Sequence, residues 1–369
     1  MNIRIRASLR GFLFFVCFAS PLFVQTSSSV FAQDGKDLQT QTLIQQLLKE
    51  PEDSARENAA KALGKMGAEA RAAIPALTEA IKDRSASVRS SAAFALGQIG
   101  VEAKPAAPAL GELLKDQNAW ARGNAAFALG RVGGAKPYLS ALIGLLKDPN
   151  ENVRRDAADA IGRIGAEAKE AVPALIVLLK DKSGAARRYT AEALGRIGPE
   201  AKTAIPGLIE SLKDQEFVVR TYSAYALRQI GMETKEAVPI WTALLKDSHE
   251  HLRSYAGDAL GEIGPEARAA TPALIEALKD QDRFVRVSAA KGLGKMGAEA
   301  KTAVPPLIEL LKDKEPLVRA SAADALGRMG AEARSAMPAL AESQKDPATI
   351  VRLAATGAIG KIGSPETKR

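Results

Sequence analysis

Val153-Arg154-Arg155-Asp156-Ala157-Ala158-Asp159-Ala160-Ile161-Gly162-Arg163-Ile164-Gly165 is one copy of a pattern that fills this 369-residue chain. Lys147-Asp148 stands just ahead of it, and Lys-Asp returns at Asp83, Asp116, Asp181, Asp214, Asp247, Asp280, Asp313 and Asp346. Lys49-Glu50 holds the place one period earlier. The step is 33 residues throughout, except for 32 between Asp116 and Asp148. Six residues after every acid comes an arginine: Arg56, Arg89, Arg122, Arg154, Arg187, Arg220, Arg253, Arg286, Arg319 and Arg352. Seventeen residues after it comes a glycine, from Gly67 to Gly363. Self-similarity at a period of this length marks a repeat architecture.

Each period reads as two helices. Between Ser87 and Ile99, the residues Val88, Ala92, Leu96 and Ile99 share one helical face, and Ala93 and Ala95 beside them allow a neighbouring helix to come close. Gly100 follows where a left-handed residue would end the helix without a Cβ clash. A shorter helix is expected over Ala171 to Lys180, with Pro173 in its first turn and Leu175, Ile176, Leu178 and Leu179 as its buried stripe. Sustained alternation of period two is absent, so no strands are expected. A single helix pair cannot bury its apolar side alone; stacked pairs complete one another's core. The expected fold is therefore an all-α, right-handed α-solenoid of ten helical pairs over residues 33–363, followed by a tail at 364–369.

The string Val-Arg-x-x-Ala-Ala-x-Ala-Leu-Gly-x-Ile-Gly, nearly intact at Val153 to Gly165, resembles the HEAT-like repeat of phycobilisome-lyase type, and the resemblance runs from Asp34 to Gly363. It implies that the variable positions of the longer helix line a concave surface. Fold resemblance alone does not fix function. Two enzymatic relatives offer the alternative reading. Deoxyhypusine hydroxylase holds two irons with His-Glu pairs that follow the repeat arginine; here those slots carry Ser90-Ser91, Arg155-Asp156, Arg188-Tyr189 and Thr221-Tyr222. Phycobilin lyases act on pigment proteins inside the cell, which does not suit the export signal described next. The resemblance thus implies neither an enzyme nor a cofactor.

Residues 1–32 read as a secretory signal: Arg4, Arg6 and Arg10, an apolar run from Gly11 to Val24, and Val30-Phe31-Ala32 at the cleavage point. An uncleaved anchor is the alternative, although the run is short for a membrane span. The expected location is periplasmic or extracellular. Cleavage removes the single cysteine, three arginines and six phenylalanines, lowering the formal charge from +8 to about +5. A disulfide framework or thiolate metal cluster is excluded by that one cysteine, and sites needing three imidazoles by the two histidines. These histidines, in His249-Glu250-His251, do not share a helix face and are expected to be solvated. Nucleic acid is not an expected partner, because acids are interleaved with the bases throughout.

Four departures from the repeat carry expectations. Ser140 replaces the proline of eight other units, which suggests changed curvature near Gly134 to Gly165. Arg228 replaces the glycine of nine equivalent positions, so helix packing should loosen there. Trp241 replaces a core leucine and should be a packing variant. Gln344, in place of a core Leu or Ile, suits a polar terminal cap.

The arginine row (Arg89, Arg122, Arg154, Arg187, Arg220, Arg253, Arg286, Arg319) could bind anions, but pairing with the aspartates of neighbouring units is the favoured reading. The aromatic residues are the functional lead. Positions 4, 8, 11 and 15 after each acid trace one stripe of the longer helix, distinct from its core face. Eight of the eleven aromatics beyond residue 32 lie there: Phe94, Trp120, Phe127, Tyr189, Tyr222, Tyr225, Tyr255 and Phe284. Tyr189, Tyr222 and Tyr255 are one period apart. At the first stripe position, ring packing between units and partner binding both remain open. For the tyrosines, binding is favoured, because Asn58, Ser91 and Asp156 hold the equivalent places and exposed aromatics mark interfaces. The expected function is an exported, non-catalytic scaffold that binds a protein or peptide through its concave surface.

Overall fold

A computed structural model describes residues 36–364, Glu233 excepted. The signal expected at 1–32 and the tail beyond Ser364 lie outside the described residues. The helices come in ten pairs. The first four pairs are 36–49 with Asp53–Met66 (α1, α2), Ile74–Ala80 with Ala86–Ile99 (α3, α4), Ala107–Leu113 with Ala119–Val132 (α5, α6) and Leu139–Leu145 with Glu151–Ile164 (α7, α8). The next three are Val172–Leu178 with Gly184–Ile197 (α9, α10), Ile205–Ser211 with Phe217–Gln229 (α11, α12) and Val238–Leu244 with Glu250–Ile263 (α13, α14). Thr271–Ala277 with Arg283–Met296 (α15, α16), Val304–Leu310 with Pro316–Met329 (α17, α18) and Met337–Ser343 with Thr349–Gly363 (α19, α20) complete the array. No strand occurs among the described residues.

Successive long helices pack side by side, whereas successive short helices barely touch one another. The closely spaced row lies on the inside of a curve, so the long helices form the concave face. Their mutual approach is set by alanine and glycine: a Cβ added to Gly162 would stand 2.8 Å from the Cα of Ala193 on the next long helix. Below them Leu, Ile, Val and Ala from both rows make one continuous core. Burial of that shared surface is the main stabilising term, and it acts between neighbours.

The turns follow the repeat closely. Gly100 ends α4 at φ 84°, ψ −143°, a region essentially reserved for glycine, and not in the left-handed helical conformation expected from its position. Gly133 takes that left-handed form, at φ 73°, ψ 26°, where the unit is one residue shorter. In the following turn, the short 3-10 segment that leads from one pair to the next shrinks to Lys136–Tyr138.

The repeat arginine and aspartate join each unit to the next. Arg89 donates from Nε to Asp116 Oδ2 at 2.7 Å and from Nη2 to Oδ1 at 3.0 Å, while its Nη1 serves the carbonyl of Asp83 at 2.8 Å. The aspartate then accepts a bond from a backbone N–H two residues on, as in Asn118 N to Asp116 Oδ1 at 2.8 Å. The same arrangement recurs from Arg56 with Asp83 to Arg319 with Asp346. The favoured pairing of the arginine row is therefore present in the fold, and these guanidiniums are spent on structure.

One junction differs. α12 and α14 are in much looser contact than any other pair of neighbouring long helices. Arg228 stands there in place of the approach glycine, as the sequence led us to expect, with its guanidinium 4.8 Å from the centre of the Tyr255 ring. Trp241 fills the widened core: it is fully buried, and its indole N–H donates to the Met232 carbonyl at 3.2 Å. At the far end Gln344 is exposed and bonds Thr356 at 3.1 Å, consistent with a polar cap. His249 departs from the solvated expectation. Its ring stacks on Phe217 with centroids 4.1 Å apart, and its Nδ1 accepts the backbone N–H of His251 at the start of α14.

Candidate binding groove

The stripe positions of α4 to α10 frame two adjoining clefts on the concave face. The first, about 460 Å³, lies against Ser87, Ser91, Phe94, Trp120 and Asn124. The second, about 360 Å³, begins at the same Phe94 and Asn124 and extends past Phe127 and Arg131 to Tyr189, Glu192 and Arg196. Trp120 is 61% exposed and Phe94 39% exposed at their shared rim. Helical spacing explains the arrangement: these residues form one stripe of the long helices, beside and distinct from the Ala and Leu core positions.

Local packing holds the rings in place. Phe94 and Phe127 stack with centroids 5.4 Å apart and planes 17° apart. Phe127 rests where a side chain on Gly97 would otherwise be, its nearest ring carbon 2.8 Å from a Cβ built there. Arg131 lies 5.5 Å from the Phe127 centroid and donates through Nε to the Gly97 carbonyl at 2.9 Å. Further along, Arg188 is sandwiched between Tyr189 and Tyr222, 4.3 and 4.4 Å from their centroids. Its Nη2 donates to the Tyr222 hydroxyl at 2.8 Å, whereas its buried Nε finds no acceptor. Stacked cations of this kind stabilise by about 0.5–2 kcal/mol.

The tyrosines do not form one continuous ladder. Tyr189 and Tyr222 are half-buried and coupled through Arg188. Tyr225 packs over Gly195, and Tyr255 stands apart against Arg228 and Trp241. Phe284 is exposed further down the array, with Arg283 over its ring. The structure thus brings Trp120, Phe94, Phe127 and Tyr189 to the clefts and leaves Tyr222, Tyr225, Tyr255 and Phe284 outside them.

Charged groups that the aromatic reading passed over also line the second cleft. Arg131, Arg163 and Arg196 occupy the same stripe position in three consecutive units, and Arg155 and Arg188 precede their tyrosine-row residues. A search for arginine fifteen residues after the repeat acid would have found the first three. Asp159 accepts from Arg163 Nε at 2.8 Å and from Arg196 Nη1 at 3.0 Å. Burial pushes the Asp156 carboxyl above the ordinary aspartate range, although Arg155 pulls against it with a 2.8 Å bond.

Cavities of about 530 and 570 Å³ lie on the outer face between neighbouring short helices. Their polar walls include the repeat Lys-Asp, which recurs in nine of the ten units, so they belong to the repeat and not to a special site. Among the described residues, no group of three or more His, Cys, Asp or Glu side chains is placed to hold a metal ion, and no helix is long and apolar enough to cross a membrane.

A family model for HEAT repeats matches the chain seven times, over residues 40–130, 107–176, 139–228, 172–252, 205–286, 238–314 and 304–369. The chain belongs to the HEAT-repeat family. Solved HEAT-like solenoids share its architecture. An engineered protein aligns over 89% of this chain and 100% of its own, with TM-score 0.62 and 23% identity. Importin beta aligns over 95% of this chain and 56% of its own, with TM-score 0.62 and 16% identity. Kap95p, whose binding induces the switch loops of RanGDP to adopt the GTP-bound conformation, aligns over 87% and 50%, with TM-score 0.54 and 16% identity. This HEAT-repeat chain spans about half the length of the latter two. No curated protein sequence matches it.

Proposed function

We propose that this HEAT-repeat protein is an exported, non-catalytic scaffold that binds a protein or peptide in its concave groove. The observation that supports it is the pair of adjoining clefts, where exposed Trp120 and Phe94 line the first and Phe94 shares the second with fixed arginines. Tyrosine, tryptophan and arginine are the residue types that concentrate binding energy at interfaces. A fold neighbour, Kap95p, binds a protein, RanGDP. Export is inferred from the basic, apolar and small-residue segments at residues 4–32. No cofactor enters the proposal.

Affinity purification from the exported fraction, with the wild-type chain and with Trp120→Ala/Phe127→Ala, tests the reading. A partner retained by wild type and lost with the variant, at equal helicity by circular dichroism, supports it. Equal recovery with both chains contradicts it. Iron at stoichiometric level in the purified protein would favour the hydroxylase-like alternative instead.

A further inference from the structure

The side chains of the two clefts narrow the chemistry of the partner, given the groove reading above. In the second cleft five arginines face two aspartates and one glutamate. The acids are already engaged. Asp159 serves Arg163 and Arg196, Glu192 serves Arg196 and Arg188, and Asp156 serves Arg155. Donor groups are left over. Arg131 meets no acid among the described residues; the Gly97 carbonyl and the Phe127 ring set its direction while its end stays exposed. Arg163 is exposed too and commits only its Nε to Asp159. Its Cδ would stand 3.0 Å from a Cβ on Gly130, so the chain lies across α6 beside Arg131.

These guanidiniums are oriented but not neutralised. Orientation matters, because a donor already held in place loses less entropy when it binds. Arg131 and Arg163 occupy the same position on adjacent helices, which stand about 8–10 Å apart. Three residues of extended chain in the polyproline-II form, which has three residues per turn, cover about 9 Å and return the side chain to the same side. Carboxylates at positions i and i+3 of such a segment therefore match the two arginines. The stacked Phe94 and Phe127 lie alongside and offer an apolar seat to a residue between them. A nucleic acid fits less well, since its unbroken row of phosphates would also face Asp156, Asp159 and Glu192.

We infer that the groove takes an extended acidic peptide segment, with side-chain carboxylates on Arg131 and Arg163 and an apolar side chain on the Phe94–Phe127 pair. Charge-assisted bonds to guanidinium are short and specific, and at a half-open site they weaken as salt rises.

Panning a random-peptide library against the full chain tests this, followed by titration of the selected sequences as capped, amidated synthetic peptides. The expected result is enrichment of Asp or Glu spaced by three beside an apolar residue, with affinity falling as salt increases. Arg131→Ala and Arg163→Ala should each weaken these peptides by about tenfold, and Gln in place of their Glu should do the same. Phe94→Ala should weaken acidic and neutral peptides alike. Neutral or basic consensus sequences, or acidic ones indifferent to Arg131→Ala and Arg163→Ala, would overturn the inference. So would peptides that lose binding on amidation, since a terminal carboxylate would then be the true ligand. In these cases, competition for a Phe94-dependent site leaves the groove reading intact. If no peptide is selected although the chain is folded, both readings fall.

Discussion

Arg154 of one unit grips Asp181 of the next through two parallel bonds, Nε to Oδ2 and Nη2 to Oδ1, both 2.7 Å long. The remaining nitrogen, Nη1, donates to the carbonyls of Asp148 and Pro149 in the turn that begins its own helix. A single side chain thus closes one turn and docks the neighbouring one. Both partners are nearly buried, so removing either leaves an uncompensated charge or unpaired carbonyls behind.

Arg154→Ala is expected to destabilise the array by about 3 kcal/mol, a typical cost for breaking a buried pair. Arg154→Lys should recover little, because an ammonium cannot make the two parallel bonds. Urea unfolding followed by circular dichroism checks both. Since contacts in a solenoid run between neighbours, the loss should appear as a separated first transition and not as a uniform shift. A change below about 0.5 kcal/mol would place the pair among ordinary surface bridges.

The same ladder sets the response to acid. Asp83, Asp116 and Asp346 are held below the ordinary aspartate value, chiefly by hydrogen bonds from Arg56, Arg89 and Arg319. For Asp181, Asp214, Asp247 and Asp280 burial pushes upward, but the arginine bond and a backbone N–H together prevail, and these too are lowered. A depressed folded value means that the unfolded chain binds more protons in acid. The stabilisation is complete above the unfolded aspartate value and disappears as pH falls through the folded values. Asp156, raised by burial, works in the opposite sense, yet it is one group against seven. Melting temperature should therefore drop steeply between about pH 4 and about pH 2. A flat profile there would show that the ladder contributes no net stability.

Much of this architecture was legible in the sequence, because a repeat states the same local instruction many times. Val88, Ala92, Leu96 and Ile99 repeat their spacing in every unit and turn inward in the structure. The fixed offset between Arg154 and Asp181 likewise announced the ladder. What single positions do in combination was harder to read. Arg228 and Trp241 each broke the pattern, but their common cause, one junction opened and refilled, needs the distance between helices. His249 gave no hint of stacking on Phe217, since the two belong to different helix pairs. The arginines of the groove were present in the stripe, but nothing in the sequence sets them apart from solvated charge. Only coordinates show that Phe127 and the Gly97 carbonyl fix Arg131 in direction.

Arg228 and Trp241 should be energetically coupled. Arg228→Gly alone leaves a gap beside Tyr255, and Trp241→Leu alone leaves one beneath Met232. The double variant restores the residues that the other units carry at both places and lets α12 approach α14. A double-mutant cycle by urea denaturation should give an interaction of about 1 kcal/mol or more. Strict additivity would mean that the tryptophan fills a space unrelated to the arginine.

The central claim is that the inner face, and not the outer one, makes contact with a partner. Site-specific photocrosslinking measures this directly. A benzophenone amino acid is placed either at Phe127 in the groove or at Val177, which is 75% exposed on the outer helix α9. The chain is then irradiated in the exported fraction. A discrete adduct from position 127 and none from position 177 is the predicted result. Adducts from position 177 alone, or equal labelling at both, would contradict the account.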